Sequence, residues 1–198
     1  MKRILTIFCL ALPGLILPAL ALNAQMDNQA IAAIAASSAS IRSLECEFEQ
    51  TKHSTLLEND LVSKGRMSYS YPDNIRWEYT SPYTYAFVME GGKAMMLRED
   101  GSGNTEVRQN RAFKELARLM TGFISGSSLA DDKLFSTTVE ETPAEWVATL
   151  VPRKKEMKQL WTSLILHLDK SSSTATTIIL HESSGDTTTI RFFSVKKQ

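Results

Sequence analysis

From Ser43 onward the hydrophobic pattern repeats every second residue, and that period limits what the chain can become. In LECEFEQ, Leu44, Cys46 and Phe48 point one way and Glu45, Glu47 and Glu49 the other. A strand with one dry and one wet face has this pattern. GRMSYSY sets Met67, Tyr69 and Tyr71 against Arg66, Ser68 and Ser70, and IRWEY sets Ile75, Trp77 and Tyr79 against Arg76 and Glu78. YTYAFVM, KAMMLRE and TEVRQ follow, and later FSTTVEE, EWVATLV, WTSLILHLD, TTIILHE and TTTIRFF. Pro72-Asp73-Asn74, Ser81-Pro82, Gly91-Gly92, DGSGN and Ser184-Gly185-Asp186 separate the runs as turns. About nine or ten short strands joined by short turns predict an antiparallel meander. No βαβα alternation argues for a parallel sheet.

Two stretches break the period. Over 28–42, Ile31, Ile34, Ala35, Ser38 and Ile41 share a helical stripe, with Asp27 or Asn28 suited to the N-cap. Over 111–122, Phe113, Leu116, Ala117 and Met120 do the same, with Asn110 at the start and Gly122 at the end. FISGSSLADD reads as a connection with room for one more short helix, and PRKKEMKQ as a solvated basic loop. The expected fold class is mainly β with two or three helices (α+β).

Residues 1–24 stand apart. Lys2 and Arg3 precede an apolar run from Ile4 to Leu20, and small residues follow at Ala19, Ala21 and Ala24. That is the order of a secretory signal peptide, with cleavage expected after Ala24 or Ala21. Pro13, Gly14 and Pro18 speak against an uncleaved anchor. Residues 25–198 then form a single domain. Cys9 leaves with the signal and has no lipobox around it, so Cys46 has no disulfide partner. With Glu45 and Glu47 as neighbours raising its pKa, Cys46 reads as a small buried hydrophobe and not as a nucleophile. The 22 basic and 22 acidic side chains balance, which leaves no electrostatic footprint for nucleic acid.

Catalytic patterns are missing. There is no G-x-S-x-G, phosphate loop or dinucleotide fingerprint. His53, His167 and His181 lack metal-ligand spacing, although His167 and His181 could meet across a ladder. Asp131-Asp132 reads as a solvated loop. Neither a metal nor a cofactor is expected, and an enzymatic function has no motif behind it. The distinctive feature is one face carrying Phe48, Met67, Tyr69, Ile75, Trp77, Tyr79, Tyr85, Phe87 and Met89. Ala- and Ser-rich helices offer small side chains opposite these large ones, which predicts loose packing and an apolar cavity.

Several pieces in order resemble the LolA family of periplasmic outer-membrane lipoprotein carriers. An aromatic-x-Gln ends the first strand, here Phe48-Glu49-Gln50. A G-x-h-x-h-x-x-P strand (h apolar) runs from Gly65 to Pro72, followed by Trp77-Glu78-Tyr79 and the Gly91-Gly92-Lys93 hairpin. The HESSGDTTTIRFF hairpin fits near the end, and the likeness spans most of residues 28–195.

The resemblance implies an incomplete antiparallel β-barrel whose open side is covered by helices, holding lipoprotein acyl chains without covalent chemistry. Its cavity would be lined by the nine residues of the apolar face. Ile31, Ile34, Phe113, Leu116 and Met120 would be lid residues on the two helices. The implied partners are lipoprotein acyl chains, an inner-membrane ABC transporter complex and an outer-membrane acceptor, met by a monomer in the periplasm. Tyr71 stands where family members often carry an Arg linked to lid closure, and Arg76 points to the opposite face from Trp77. The alternatives are a carrier of another envelope lipid, or an envelope sensor built on the same half-barrel.

Overall fold

The computed structural model describes residues 19–98, 105–106, 119–124 and 128–198. In chain order these form α1 (Ala19–Ser38), β1 (Ser43–His53), β2 (Leu61–Ser70), β3 (Asn74–Ser81), β4 (Tyr85–Glu90), β5 (Lys93–Arg98) and β6 (Thr105–Glu106). Then come α2 (residues 119–124), β7 (Phe135–Glu141), β8 (Glu145–Pro152), α3 (Lys155–Lys158), β9 (Trp161–Asp169), β10 (Thr174–Glu182) and β11 (Thr187–Lys197). The strands make one sheet of 11, in the order β6-β5-β4-β3-β2-β1-β11-β10-β9-β8-β7. That exceeds the expected nine or ten. Every pairing is antiparallel, and each half is a meander. β1 and β11 join the halves, while β6 and β7 remain the two edges, so the sheet does not close.

Register turns the alternation into rows across the sheet. Leu44, Tyr69, Ile75, Met89 and Ala94 lie side by side. So do Cys46, Met67, Trp77, Phe87 and Met96. The third row is Phe48, Gly65, Tyr79, Tyr85 and Arg98, with Phe192 on the other side of Phe48. In the C-terminal half, Ala148, Leu166, Ile178 and Ile190 continue the same wall. Nearly all of these side chains belong to, or pack against, one buried core cluster. The outer face carries Glu45, Glu47, Arg66 and Arg76, all exposed.

The helices differ from expectation in their limits. α1 runs from Ala19 to Ser38, not over 28–42, because no breaker interrupts the Ala-rich stretch upstream of residue 28. Ile41 is buried beyond the helix end. Asp27 is therefore no N-cap. Its Oδ1 accepts a hydrogen bond from the backbone N–H of Val139 on edge strand β7, at 2.8 Å. The second helix continues through residue 124 and does not stop at Gly122. A Cβ on Gly122 would stand 1.8 Å from Ser128 Oγ, so this glycine admits the returning chain. PRKKEMKQ is not all loop: α3 forms within it and buries Met157. Among the described residues no helix is long and apolar enough to cross a membrane.

Candidate functional site

The inner wall of the N-terminal half is built around Phe48. Its ring lies against Trp77 at a tilt of 32°, with centroids 4.2 Å apart, and meets Tyr79 edge-on at 5.3 Å. Trp77 meets Phe192 edge-on at 6.1 Å, and Tyr79 stacks on Tyr85 at 4.6 Å. Such ring pairs add about 0.5–1.5 kcal/mol each beyond their buried area. The Tyr79 hydroxyl donates to Gln50 Oε1 at 2.9 Å. The aromatic-x-Gln, Gly65 and Trp-x-Tyr motifs, far apart in sequence, thus converge on one spot.

All nine residues expected on the apolar face lie on this wall. Phe48, Met67, Tyr69, Ile75, Trp77, Phe87 and Met89 are buried, and Tyr79 and Tyr85 half-buried. Burial, the largest cause in each case, pushes the phenols of Tyr69, Tyr79 and Tyr85 upward, so all three stay neutral at neutral pH. The Cys46 thiol is pushed up to about 12, chiefly by burial and partly offset by a hydrogen bond with the Met67 backbone. Burial is the cause, not Glu45 and Glu47, whose side chains lie on the outer face. Trp77 Nε1 is buried and makes no well-formed hydrogen bond among the described residues, although its side chain lies near enough to the Tyr79 hydroxyl to offset part of that phenol's upward shift. Buried donors are seldom left in that state.

The cover comes from α1 and α2. Ile34 is buried and Ile31 half-buried, and both pack on the core. Met120 is buried with Leu119 and Phe123, which the sequence reading did not single out. Phe113 and Leu116 lie outside the described residues. Beneath α1, a space of about 360 Å³ is lined by Asn28, Ile31, Leu129, Phe135 and Arg153. Between α2 and the sheet the void is about 30 Å³, lined among others by Leu44, Cys46, Met67, Met120, Phe123, Ile178 and Phe192. That is roughly one water's share of volume, against about 300 Å³ or more for a small-ligand pocket.

The C-terminal half of the wall was also missed. Leu164, Leu166 and Leu168 alternate within WTSLILHLD as plainly as the residues of β1 do, so the signal was present. His167 and His181 do not face each other: His167 pairs with Thr177, and His181 with Ser163. His167 Nδ1 lies 3.2 Å from Glu145, and His53 Nδ1 2.9 Å from Asp60. Tyr71 is exposed, with the Arg42 guanidinium 4.5 Å above its ring. Arg76 pairs on the outer face with Glu78 at 3.3 Å. A groove of about 400 Å³ there is lined by charges of both signs, including Glu45, Arg66, Arg76 and Lys196.

The family described as outer membrane lipoprotein carrier protein LolA matches residues 39–198. The chain belongs to the LolA family. Among solved structures, a LolA superfamily protein from Nitrosomonas europaea is similar at 13% identity and a TM-score of 0.47, covering 85% of this chain and 93% of that one. A putative outer membrane lipoprotein-sorting protein domain from Vibrio parahaemolyticus is similar at 11% identity and 0.46, covering 89% and 94%. MucB is similar at 14% identity and 0.50, covering 87% of this chain and 58% of its own. The last likeness supports the fold alone. No curated protein matches the sequence. The open sheet with helical cover is the LolA-like architecture that the motifs implied.

Proposed function

We propose that this LolA-family protein is an exported, non-enzymatic carrier that shelters the acyl chains of a lipoprotein between its sheet and its helical cover. The observation that carries this reading is the wall itself: a continuous apolar surface spanning an open sheet, with helices laid over it and no pairing between β6 and β7. An unclosed sheet can spread without breaking a ladder, and a cover held by side-chain contacts can lift.

Each methylene moved from water to this interior contributes about 0.8 kcal/mol, so a multi-chain lipid cannot cross water unaided. The closed interior moderates that gain. Lipid must displace α2 side chains before it binds, and their return helps expel it. In this account the protein works as a monomer in the periplasm after loss of residues 1–24. It receives cargo from an inner-membrane ABC transporter complex and passes it to an outer-membrane acceptor.

Displacement of an environment-sensitive hydrophobic dye by a diacylated peptide tests the reading. The peptide should compete, and Ile75→Glu or Trp77→Glu should weaken binding at least about tenfold, since a charge must then be desolvated. Unchanged affinity in both variants, each shown to be folded by circular dichroism, would overturn it.

A further inference from the structure

Six of the eight exposed large apolar side chains among the described residues gather at one end of the sheet: Leu56, Leu57, Leu61, Val62, Tyr83 and Val151. Register places them at the same end of the strands, with Val151 on β8, five strands away from β2. β1 runs out at His53, opposite Thr187, and β2 begins at Leu61, opposite Lys52. The β3–β4 turn that carries Tyr83 follows Ser81, which pairs with Lys64 at the start of β2. Val151 precedes α3, and α3 leads into Trp161, paired with Glu182 beside the β10–β11 turn.

Leu56 is 90% exposed at the tip of the β1–β2 loop, yet the loop is braced. Asp186 Oδ1 accepts from Ser54 Oγ and from the Thr55 N–H, both at 3.1 Å, and the Leu57 N–H donates to the Ser54 carbonyl at 3.2 Å. Lys52 Nζ reaches Glu182 at 2.9 Å and Asp186 at 3.4 Å. The same hairpin holds α3: the Ser183 N–H donates to Leu160 O at 3.0 Å, and Ser183 Oγ to Lys158 O at 2.7 Å. One brace thus fixes an apolar tip and a basic helix at the same end.

The segment around α3 exposes Arg153, Lys154, Lys155 and Lys158 against Glu156 alone, and Met157 anchors it in the core. None of the three lysines has a carboxylate within ion-pair distance among the described residues. Glu58 and Asp60 on the loop, and Asp131 and Asp132 near Arg153, offset part of this charge; Asp60 faces His53 at 2.9 Å, and Arg153 Nε donates to the Phe135 carbonyl at 3.1 Å.

We propose that this end of the half-barrel docks on an anionic lipid bilayer, with Leu56 and Leu57 entering the interface and Arg153, Lys154, Lys155 and Lys158 facing lipid headgroups. Partial insertion of a few apolar side chains beside unpaired cations is enough for weak, reversible adhesion. Tyr83, polar at its tip and apolar in its body, suits the same boundary. Docking needs no occupied interior, so it stands apart from the carrier reading.

The test uses the full chain in a Cys9→Ser background, with Leu56→Cys carrying an environment-sensitive fluorophore and Glu45→Cys on the outer face as control. The vesicles are phosphatidylethanolamine with phosphatidylglycerol. The Leu56 label should shift to the blue on adding vesicles, and the control label should not. Adding Lys154→Glu and Lys155→Glu should raise the lipid concentration at half-shift at least about tenfold, because each cation near an anionic surface is worth about fivefold. All the chains share the apolar N-terminal residues, so the differences belong to the substituted end. No shift at Leu56, equal shifts at both labels, or indifference to the lysine substitutions would overturn the proposal.

Discussion

The ring of Phe48 rests on the bare backbone of Gly65. A Cβ built on Gly65 would stand 2.4 Å from Phe48 Cζ and 2.0 Å from the Glu78 carbonyl oxygen. The glycine of the strand motif is therefore the seat of the aromatic residue in the preceding motif. From this seat Phe48 reaches Trp77 and Tyr79.

Gly65→Ala should destabilise the fold by about 1–3 kcal/mol or more, the usual range for forcing atoms into a filled core. The Glu78 oxygen belongs to a paired strand and cannot swing away. Urea unfolding measures the change. A loss below about 0.5 kcal/mol would mean that the Phe48 ring does not occupy this seat.

Phe48→Ala should cost about 3–5 kcal/mol, since it removes a fully buried ring. A double-mutant cycle of Phe48→Leu with Trp77→Leu should return a coupling of about 0.5–1.5 kcal/mol from the tilted ring pair. Strict additivity would place the two rings out of contact.

The alternation in LECEFEQ, GRMSYSY and IRWEY suffices to put Leu44, Met67 and Trp77 on one face, because a period of two leaves each strand residue only one side to take. Helix limits are less legible. An Ala-rich run without Gly or Pro has no internal stop, so α1 extends back to Ala19. Gly122 illustrates a different ambiguity: a glycine can end a helix or admit a neighbouring chain, and only the position of Ser128 decides which. The density of the interior is least legible of all. It depends on how far Leu119, Met120 and Phe123 reach toward the sheet, which is a matter of tertiary placement and not of pattern.

Asp27 joins the cover helix to edge strand β7 through the Val139 N–H, 2.8 Å away. Asp27→Ala should loosen α1 and cost about 1–3 kcal/mol, as for a hydrogen bond to a charged acceptor. It should also speed uptake of a hydrophobic dye. Slower amide exchange at Val139 in the variant than in the parent would contradict this.

The Asp169 carboxyl is held at about 2, first by the Ser171 hydroxyl at 2.6 Å and then by the Ser172 N–H at 2.7 Å. Its pKa is depressed in the folded state. The stability it contributes is therefore complete above the ordinary value of 3.8 and is lost as pH falls from there through about 2. Asp169→Asn should remove that part of the acid sensitivity. Urea midpoints between about pH 4 and 2 should fall less steeply in the variant than in the parent. Parallel curves would show that the turn hydrogen bonds are not made.

Cys46 lies beneath α2, and its thiol, pushed up to about 12, is inert at neutral pH in the closed state. In a Cys9→Ser background, alkylation should be slow in buffer and fast in denaturant. Phe123→Ala should accelerate it, by thinning the cover over the same void. Equal rates in buffer and denaturant would place the thiol outside the core.

The central claim, that the packed interior opens to take acyl chains, is tested most directly by native mass spectrometry of the folded protein mixed with a synthetic triacylated lipopeptide. A one-to-one complex is predicted, weakened by Trp77→Glu and not formed with the same peptide lacking its acyl chains. If only the bare chain is seen at excess lipopeptide, or the peptide binds equally without its lipid, the interior is a structural core and the carrier account is wrong.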